Sequence, residues 1–319
     1  MDPHAHGAGL WMNARRRTRI VGRGCHRAAM EANAWPFRAA EALESEALTF
    51  RELRRYHFGM YPGVWAPRGI EPSVGDRARA AWLWSGRRGV VGGLAASALL
   101  GAKWIEDETP IDLIHANRRP PPGIVVHTDA LTADETQFVG AVPITTAART
   151  AFDLGRRQPL KDGVQRIDAL MNATDLKVDA VKAVGLVHPG IRGLRQLRET
   201  LALVDGGAES PYESLTRLLL VQNGFPPVQT QIVVCDESGW RFARIDMGWP
   251  EYCVGVDFEG AHHWSDPKQR SWDIIRYAKL SKLGWIDERL TGGILHNSPQ
   301  SFLDRVGAAL VSRGCPRTW

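Results

Sequence analysis

The chain has few cysteines, and their spacing excludes the sites that cysteines most often build. Four cysteines occur in 319 residues, at positions 25, 235, 253 and 315, and no two of them form a CxxC pair. Zinc knuckles and disulfide frameworks both need closely or regularly spaced cysteines. Neither is predicted, and the pattern is typical of a protein of the reducing cytoplasm.

Long hydrophobic runs are also missing. The longest apolar segment, "GVVGGLAASALLGA", covers residues 89–102. About 20 apolar residues are needed to span a bilayer. We therefore predict a buried helix in this segment and expect no association with a membrane.

Net charge is missing from most of the chain. Residues 1–29 hold six arginines and one aspartate, which equals the whole net charge of +5. In the remaining residues 34 basic side chains balance 34 acidic ones. The total charge therefore gives no reason to predict a nucleic-acid-binding protein, and only local patches bear on that question.

The Arg-rich start of the chain, taken as residues 1–35, lacks hydrophobic periodicity, so a disordered basic tail is predicted. Translation from Met30 would leave most of it out, and a basic arm for nucleic acid is a further alternative. Three folded regions are expected to follow: a winged-helix-like module at 36–74, a middle α+β domain at 75–207 and an α/β domain at 208–319. The "DGG" at 205–207 marks the last boundary.

Residues 36–74 contain signals for two helices and a hairpin. Apolar residues recur at helical spacing over 36–48, and Thr49 with Glu52 forms a capping-box pattern that starts a second helix. "GMYPGVWAPRG" then predicts a small hairpin. On this interpretation the second helix faces DNA phosphates through Arg51, Arg54 and Arg55. The alternative is a helical hairpin whose arginines are only solvated.

The last region has the predicted order α-β-β-β-α-β-α. Its helices are expected at 211–223, 267–283 and 298–312, and its strands in "TQIVVCD", "RFARIDMGW", "YCVGVDFEG" and "WIDERLTG". A meander followed by a helical crossover gives a mixed sheet with flanking helices, an α/β architecture.

Acidic residues stand at the ends of two of these strands. Asp246 lies near the end of one strand, and Asp257 and Glu259 share a face of the next. Like charges on a buried sheet are costly unless a cation or a proton lies among them. Carboxylate oxygens suit Mg²⁺ or Mn²⁺, so we predict a metal site at Asp246, Asp257 and Glu259. A hydrogen-bonded structural cluster is the alternative.

Other residues complete the predicted site. Glu213 on the preceding helix adds a carboxylate, and His262 or His263 is a candidate for proton transfer. Helix 267–283 has five basic residues and one acid, so it is expected to bind a phosphate backbone. Its basic residues are Lys268, Arg270, Arg276, Lys279 and Lys282. The alternative is a solvated face of an amphipathic helix.

The segment "ESPYESLTRLLL…IDMGWPEYCVGVDFEGAHHWSDPKQRSWDIIRYAKLSKLGW" resembles the Vsr-like nuclease domain of the PD-(D/E)xK superfamily. The resemblance covers roughly the last third of the chain and implies a restriction-endonuclease-like fold with metal-dependent DNA cleavage. It implies catalytic roles for five residues, namely Glu213, Asp246, Asp257, Glu259 and His263. It also matches Asp273 and Arg276 to a helix pair of that family.

This segment departs from the family pattern in three places. The strand acids are in the order Asp then Glu, no proline precedes Asp246, and no lysine ends the Asp-x-Glu element. These departures favour an alternative function, a non-catalytic DNA-binding regulator with a degenerate nuclease fold.

The earlier part of the chain resembles AbiEi-type antitoxins of type IV toxin–antitoxin systems. The resemblance lies in "LTFRELRR", "YPGVWAPRG" and "TTAARTAFDLGRR". It implies transcriptional autoregulation or antagonism of a cognate toxin. The leading hypothesis from the sequence is a Mg²⁺-dependent or Mn²⁺-dependent endonuclease-like protein that acts on DNA and is linked to a toxin–antitoxin or defence system.

Overall fold

The structure, a computed structural model, describes residues 35–116, 119–260 and 267–319, with side chains in helix 267–282 described from Ile274 onward. Within these residues the chain is a mixed α/β protein with three sheets and flanking helices, as predicted at the level of class. None of the helices described is long and apolar enough to cross a membrane. Residues 1–34 of the predicted tail, His262 and His263, and the side chains of Lys268, Arg270 and Asp273 lie outside this description.

The first sheet has the order β1-β3-β2 and carries two short helices. The elements are β1 (Phe37–Arg38), α1 (Ala39–Glu44), α2 (Phe50–Tyr56), β2 (His57–Tyr61) and β3 (Val64–Pro67). The capping box at Thr49 and the hairpin are confirmed. The helix predicted over 36–48 is wrong at both ends, because Phe37 and Arg38 pair with β3 as a strand and α1 ends at Glu44.

The second sheet has five strands in the order β6-β5-β4-β8-β7. Its elements are α3 (Val74–Trp84), β4 (Val90–Gly92), α4 (Gly93–Leu99), β5 (Ile111–Ile114), β6 (Ile124–His127), β7 (Thr136–Val139) and β8 (Val142–Thr145). Its core also contains Tyr61 and Val64 of the first sheet. The buried core therefore runs across residue 74, where a domain boundary was predicted.

Four helices follow and pack around Phe152 in a core of their own. They are α5 (Ala147–Arg157), α6 (Leu160–Ala173), α7 (Val178–Val187) and α8 (Leu194–Leu201). Arginine and carboxylate side chains are buried along α5, and their charges are paired within the described residues. The middle region thus contains a sheet core and a helical core side by side.

The last region contains a four-stranded sheet in the order β12-β11-β10-β9. Its elements are α9 (Pro211–Gln222), β9 (Gln229–Cys235), β10 (Arg241–Trp249), β11 (Val254–Glu259), α10 (Pro267–Lys282), β12 (Ile286–Thr291), α11 (Gly292–Asn297) and α12 (Pro299–Ser312). The predicted element order is confirmed, with α11 as an addition that Thr291 caps. Helices α9 and α12 cover one face of the sheet, and α10 packs on the other.

Helix α9 joins this last region to the middle one. Asp168 of α6 is buried and accepts hydrogen bonds from Arg217 at 2.8 Å and from Ser214 at 2.7 Å. The remaining oxygen of Asp168 accepts the backbone N–H of Asp205 at 2.7 Å. A paired buried charge therefore fixes α9, and with it Glu213, against the middle helices.

Candidate functional site

Strand β10 changes its packing pattern at Asp246. Ile245 packs with Leu280 of α10, whereas Met247 packs in the core formed with α9 and α12. Residues two apart in a regular strand lie on the same face. Ile245 and Met247 pack on opposite faces of the sheet, so the alternation of side chains in β10 is interrupted at Asp246. Gln231, opposite Asp246 in the register with β9, has a φ of 53°, in the left-handed region that non-glycine residues rarely adopt.

Asp246 and Asp257 lie opposite each other where the regular pairing of β10 with β11 ends. The last regular pair is Met247 with Val256, one step before the two acids. The N–H of Asp246 donates to Oδ1 of Asp257 at 2.9 Å, and the N–H of Phe258 donates to Oδ2 of Asp246 at 2.8 Å. The side-chain carboxylates thus accept backbone hydrogen bonds that strand carbonyls would accept in a regular sheet. Asp246 and Asp257 therefore lie close together, as the predicted site requires.

Glu213 approaches the same place from α9. It occupies the first turn of the helix, behind the Ser210 cap. Its Oε2 accepts the N–H of Glu209 at 2.9 Å and the side-chain amide of Gln231 at 3.2 Å. Burial raises the pKa of Glu213, although its hydrogen bonds with Glu209 and Ser210 oppose the shift.

The proximity of these acids changes the protonation of Asp246. Burial and then the negative charge of Asp257 raise the pKa of Asp246 to about 7, with a further contribution from Glu213. Asp246 forms no ion pair with a described lysine, arginine or histidine. Near neutral pH this carboxyl group is therefore balanced between its charged and neutral forms.

Arg276 and Arg289 pair with Asp257 and Glu259, the two acids of β11. Arg276 of α10 forms an ion pair with Asp257 and donates to the carbonyl of Arg244 at 2.8 Å. Arg289 of β12 lies 3.4 Å from Glu259. The guanidinium of Arg276 therefore points inward to Asp257. The sequence predicts that Arg276 contacts a phosphate backbone, and in this structure its charge is paired with Asp257 instead.

Asp287 of β12 is a further acid close to Asp257 and Glu259. The sequence does not predict it as a site residue. Parallel pairing with β11 places Asp287 beside Gly255 and Arg289 beside Asp257. Burial and then the charge of Asp257 raise the pKa of Asp287 to about 7. Side chains alternate along "WIDERLTG", but which of them face α10 is known only when the pairing of β12 with β11 is known. No local signal in the sequence therefore identified Asp287.

Four other predicted DNA-contacting residues with described side chains lie at the surface. Arg51, Arg54 and Arg55 are exposed on α2, beside the exposed rings of Phe50 and Tyr56. Lys279 is exposed on α10, 5.5 Å from the ring of Phe242. Both sets of basic side chains are therefore exposed to solvent.

The donor chemistry of the acids fits a hard divalent cation. Five carboxylates are gathered, from Glu213, Asp246, Asp257, Glu259 and Asp287, against the two arginines of the cluster. In the part of the chain that is described, no three His, Cys, Asp or Glu side chains are already arranged to hold a metal ion. Binding would require the carboxylates to rearrange and Arg276 to release Asp257.

Two relatives are similar to this chain over most of their length. The uncharacterized protein MT2308 of Mycobacterium tuberculosis strain CDC 1551 and the uncharacterized protein Rv2248 of strain H37Rv are each 28% identical over 225 residues, which is 70% of this chain and 81% of theirs. No family model matches the chain, and no solved structure matches it significantly. A functional assignment therefore depends on the geometry of the acidic residues.

Proposed function

We propose that the region 208–319 is a metal-dependent endonuclease-like domain that hydrolyses phosphodiester bonds in DNA. The observation that supports this proposal is the convergence of Asp246, Asp257 and Glu213 from two strands and a helix. Burial first, and then the negative charges of Asp257 and Glu213, raise the pKa of Asp246, and a cation bound among these acids would relieve their repulsion. A purely structural cluster would have a cationic side chain for each buried acid.

Asp246, Asp257 and Glu259 are the proposed ligands of Mg²⁺ or Mn²⁺. Such a cation, when bound, polarises a phosphoryl oxygen and lowers the pKa of bound water. Glu213 holds Gln231 through a hydrogen bond and so positions the strand that faces Asp246. Proton transfer is assigned to His263, on the sequence pattern alone.

DNA binding is assigned to the exposed basic residues. Arg51, Arg54 and Arg55 on α2 and Lys279 on α10 are placed to contact phosphates without reading bases. Lys268 and Arg270 are proposed to extend the second surface, from their sequence positions. Together with the resemblance to antitoxins, this arrangement suits a protein of a toxin–antitoxin or defence system with a cognate toxin as a further partner.

One observation favours a second candidate, a DNA-binding regulator without nuclease activity. Arg276 already pairs with Asp257, so part of the negative charge is neutralised by the protein itself. In this candidate the acids are a remnant of a nuclease site and only the basic surfaces act. Promoter binding without metal and without cleavage is its expected behaviour.

A cleavage assay separates the two candidates. Plasmid and single-stranded DNA are incubated with the full chain in Mg²⁺, Mn²⁺ or EDTA, and Asp246→Asn and Asp257→Asn are compared with the wild type. Glu288→Gln is the matched control, because Glu288 is an acid of the same sheet that pairs with Arg305 at 2.8 Å. Metal-dependent cutting that only the two Asp variants lose supports the nuclease. Metal-independent DNA binding with no cutting by the wild type supports the regulator.

A further inference from the structure

Asp287 is a buried carboxylate without a hydrogen-bond partner. Its side chain is 8% exposed, and neither of its oxygens accepts a hydrogen bond from the described residues. The nearest cationic atom is Nε of Arg289, 3.9 Å from Oδ2. That distance is too long for a hydrogen bond, so the charge of Asp287 is buried with little compensation.

The surroundings of Asp287 identify where its oxygens are directed. Val254 and Val256 of β11 pack against α9 and α12, so the alternate residues Asp257 and Glu259 point to the face of the sheet that carries α10. In the parallel register Asp287 lies beside Gly255 and Arg289 beside Asp257, so Asp257 is the diagonal neighbour of Asp287 on this face. The negative charges of Asp257 and Glu259 both act on Asp287, so the three acids form one group.

The two arginines of this group are already engaged elsewhere. Arg276 bonds Asp257 and the carbonyl of Arg244. Arg289 is 3.4 Å from Glu259, and its guanidinium carbon lies 3.3 Å from the ring centre of Tyr277. Asp287 is a buried carboxylate without a hydrogen-bond donor, and the two nearby arginines bind Asp257 and Glu259. A carboxylate in such surroundings has the chemistry of a ligand for a divalent cation.

We propose that Asp287 is a ligand of the divalent cation that Asp257 also binds, so that the metal site extends over β10, β11 and β12. The proposal rests on the proposed function, because it assumes that a cation enters the acidic group. It assigns to β12 a role in binding that the Asp-x-Glu pattern of β11 does not contain. Asp287 would add a third strand to the ligand set and an additional negative charge to hold the ion.

Mn²⁺ binding to the full chain tests this proposal without an activity readout. The dissociation constant is measured by titration calorimetry for the wild type, Asp287→Asn, Asp246→Asn and the control Glu288→Gln. Glu288 follows Asp287 in β12 and pairs with Arg305 on the other side of the strand. We expect Asp287→Asn to weaken Mn²⁺ binding at least about tenfold, as Asp246→Asn does, and Glu288→Gln to leave it unchanged.

Thermal unfolding separates a ligand from a structural carboxylate. In EDTA at pH 8 we expect Asp287→Asn to raise the melting temperature, because a neutral amide costs less to bury than an unpartnered charge. With Mn²⁺ in excess the order reverses, since the wild type gains more from the ion. A carboxylate that only stabilises the fold would give a lower melting temperature in both conditions.

Each remaining outcome overturns a specific claim. Mn²⁺ binding that Asp246→Asn abolishes and Asp287→Asn leaves unchanged overturns the role of Asp287 and leaves the proposed function standing. Equal weakening by Asp287→Asn and Glu288→Gln also overturns it, because general loss of charge would then explain the effect. A wild type that binds no Mn²⁺ overturns both proposals.

Discussion

Two groups of buried charges in this protein differ in how they are balanced. In the middle region three arginines of α5 meet three carboxylates: Arg149 bonds Glu135 at 2.7 Å and Asp153 at 3.0 Å, and the others pair with Asp153 and Asp129. In the last region Asp257, Glu259 and Asp287 have Arg276 and Arg289 as their ion-pair partners, and Glu213 of α9 and Asp246 of β10 form no ion pair among the described residues. The first group needs nothing further, whereas the second has negative charge in excess.

The difference supports the proposal that the middle group is structural and that the acids of the last region are a binding site. Buried charges are tolerated where they are paired, and each charge of the middle group has an ion-pair partner, although Nη2 of Arg149 has no hydrogen-bond acceptor among the described residues. The last sheet places its acids at a strand irregularity, where Asp246 and Asp257 bond backbone N–H groups in place of ladder carbonyls. Such an arrangement is costly for folding alone, and a ligand cation offsets the cost.

Breaking the balanced group is expected to have the largest effect on stability. Arg149→Met removes a side chain that is 0% exposed and leaves Glu135 and Asp153 buried without it. We expect a loss of about 3–5 kcal/mol in the free energy of unfolding, measured by urea denaturation. Arg195→Met is the control, because the Arg195–Glu199 pair is solvent-exposed and is expected to contribute less than about 1 kcal/mol. Equal effects of the two variants would contradict the comparison.

The paired charge at the junction of the two regions is expected to have an intermediate effect. Asp168→Asn removes the charged acceptor of Arg217 and Ser214. Hydrogen bonds to charged groups are worth about 1.5–3 kcal/mol, and we expect a loss of that size in urea denaturation. Asp162→Asn, an exposed change on the same helix, should cost less than about 0.5 kcal/mol. A stable Asp168→Asn protein would show that the junction does not depend on this pair.

The unbalanced group is expected to give an effect of the opposite sign, a gain in stability when its charge is removed. The pKa of Asp246 is raised to about 7 in the folded protein, against about 4 in the unfolded chain. The folded state therefore holds a proton that the unfolded state releases, so stability falls as the pH rises from about 4 to 7 and changes no further above that. Asp246→Asn should make this fall shallower in EDTA, and the raised pKa of Asp287 accounts for a further part of it.

Urea denaturation at pH 4 to 8 measures that profile. Asp236→Asn is the control, since hydrogen bonds from Ser238 and Trp240 lower the pKa of that exposed aspartate and its removal should not flatten the fall between pH 5 and 7. Parallel profiles for the wild type and Asp246→Asn would show that Asp246 does not titrate in this range.

Local patterns in the sequence predict much of the last region. Strand β10 matches "RFARIDMGW" at both ends, and the bounds of α10 and α12 differ from the predictions by one residue each. Alternation and capping are properties of neighbouring residues, so they can be read without the fold. Asp246 is expected to approach Asp257 only where the two strands depart from regular pairing, and the regular pairing does end at Met247 and Val256.

Features that depend on distant residues could not be predicted in the same way. The inward direction of Asp287 depends on its parallel register with β11, and Arg276 turns inward because α10 crosses over Asp257. β1 is a strand because Phe37 meets Trp65 across the sheet, although its spacing is helical. In each case a tertiary contact overrides a local preference.

The central claim is that the acids of the last sheet bind a divalent cation, and a crystal structure of the full chain soaked in Mn²⁺ tests it most directly. The account predicts an anomalous difference peak between the carboxylates of Asp246 and Asp257, with Arg276 moved away from Asp257. The account would be contradicted if Mn²⁺ bound at other positions of the crystal but gave no peak between these carboxylates, and if the Arg276–Asp257 pair stayed intact.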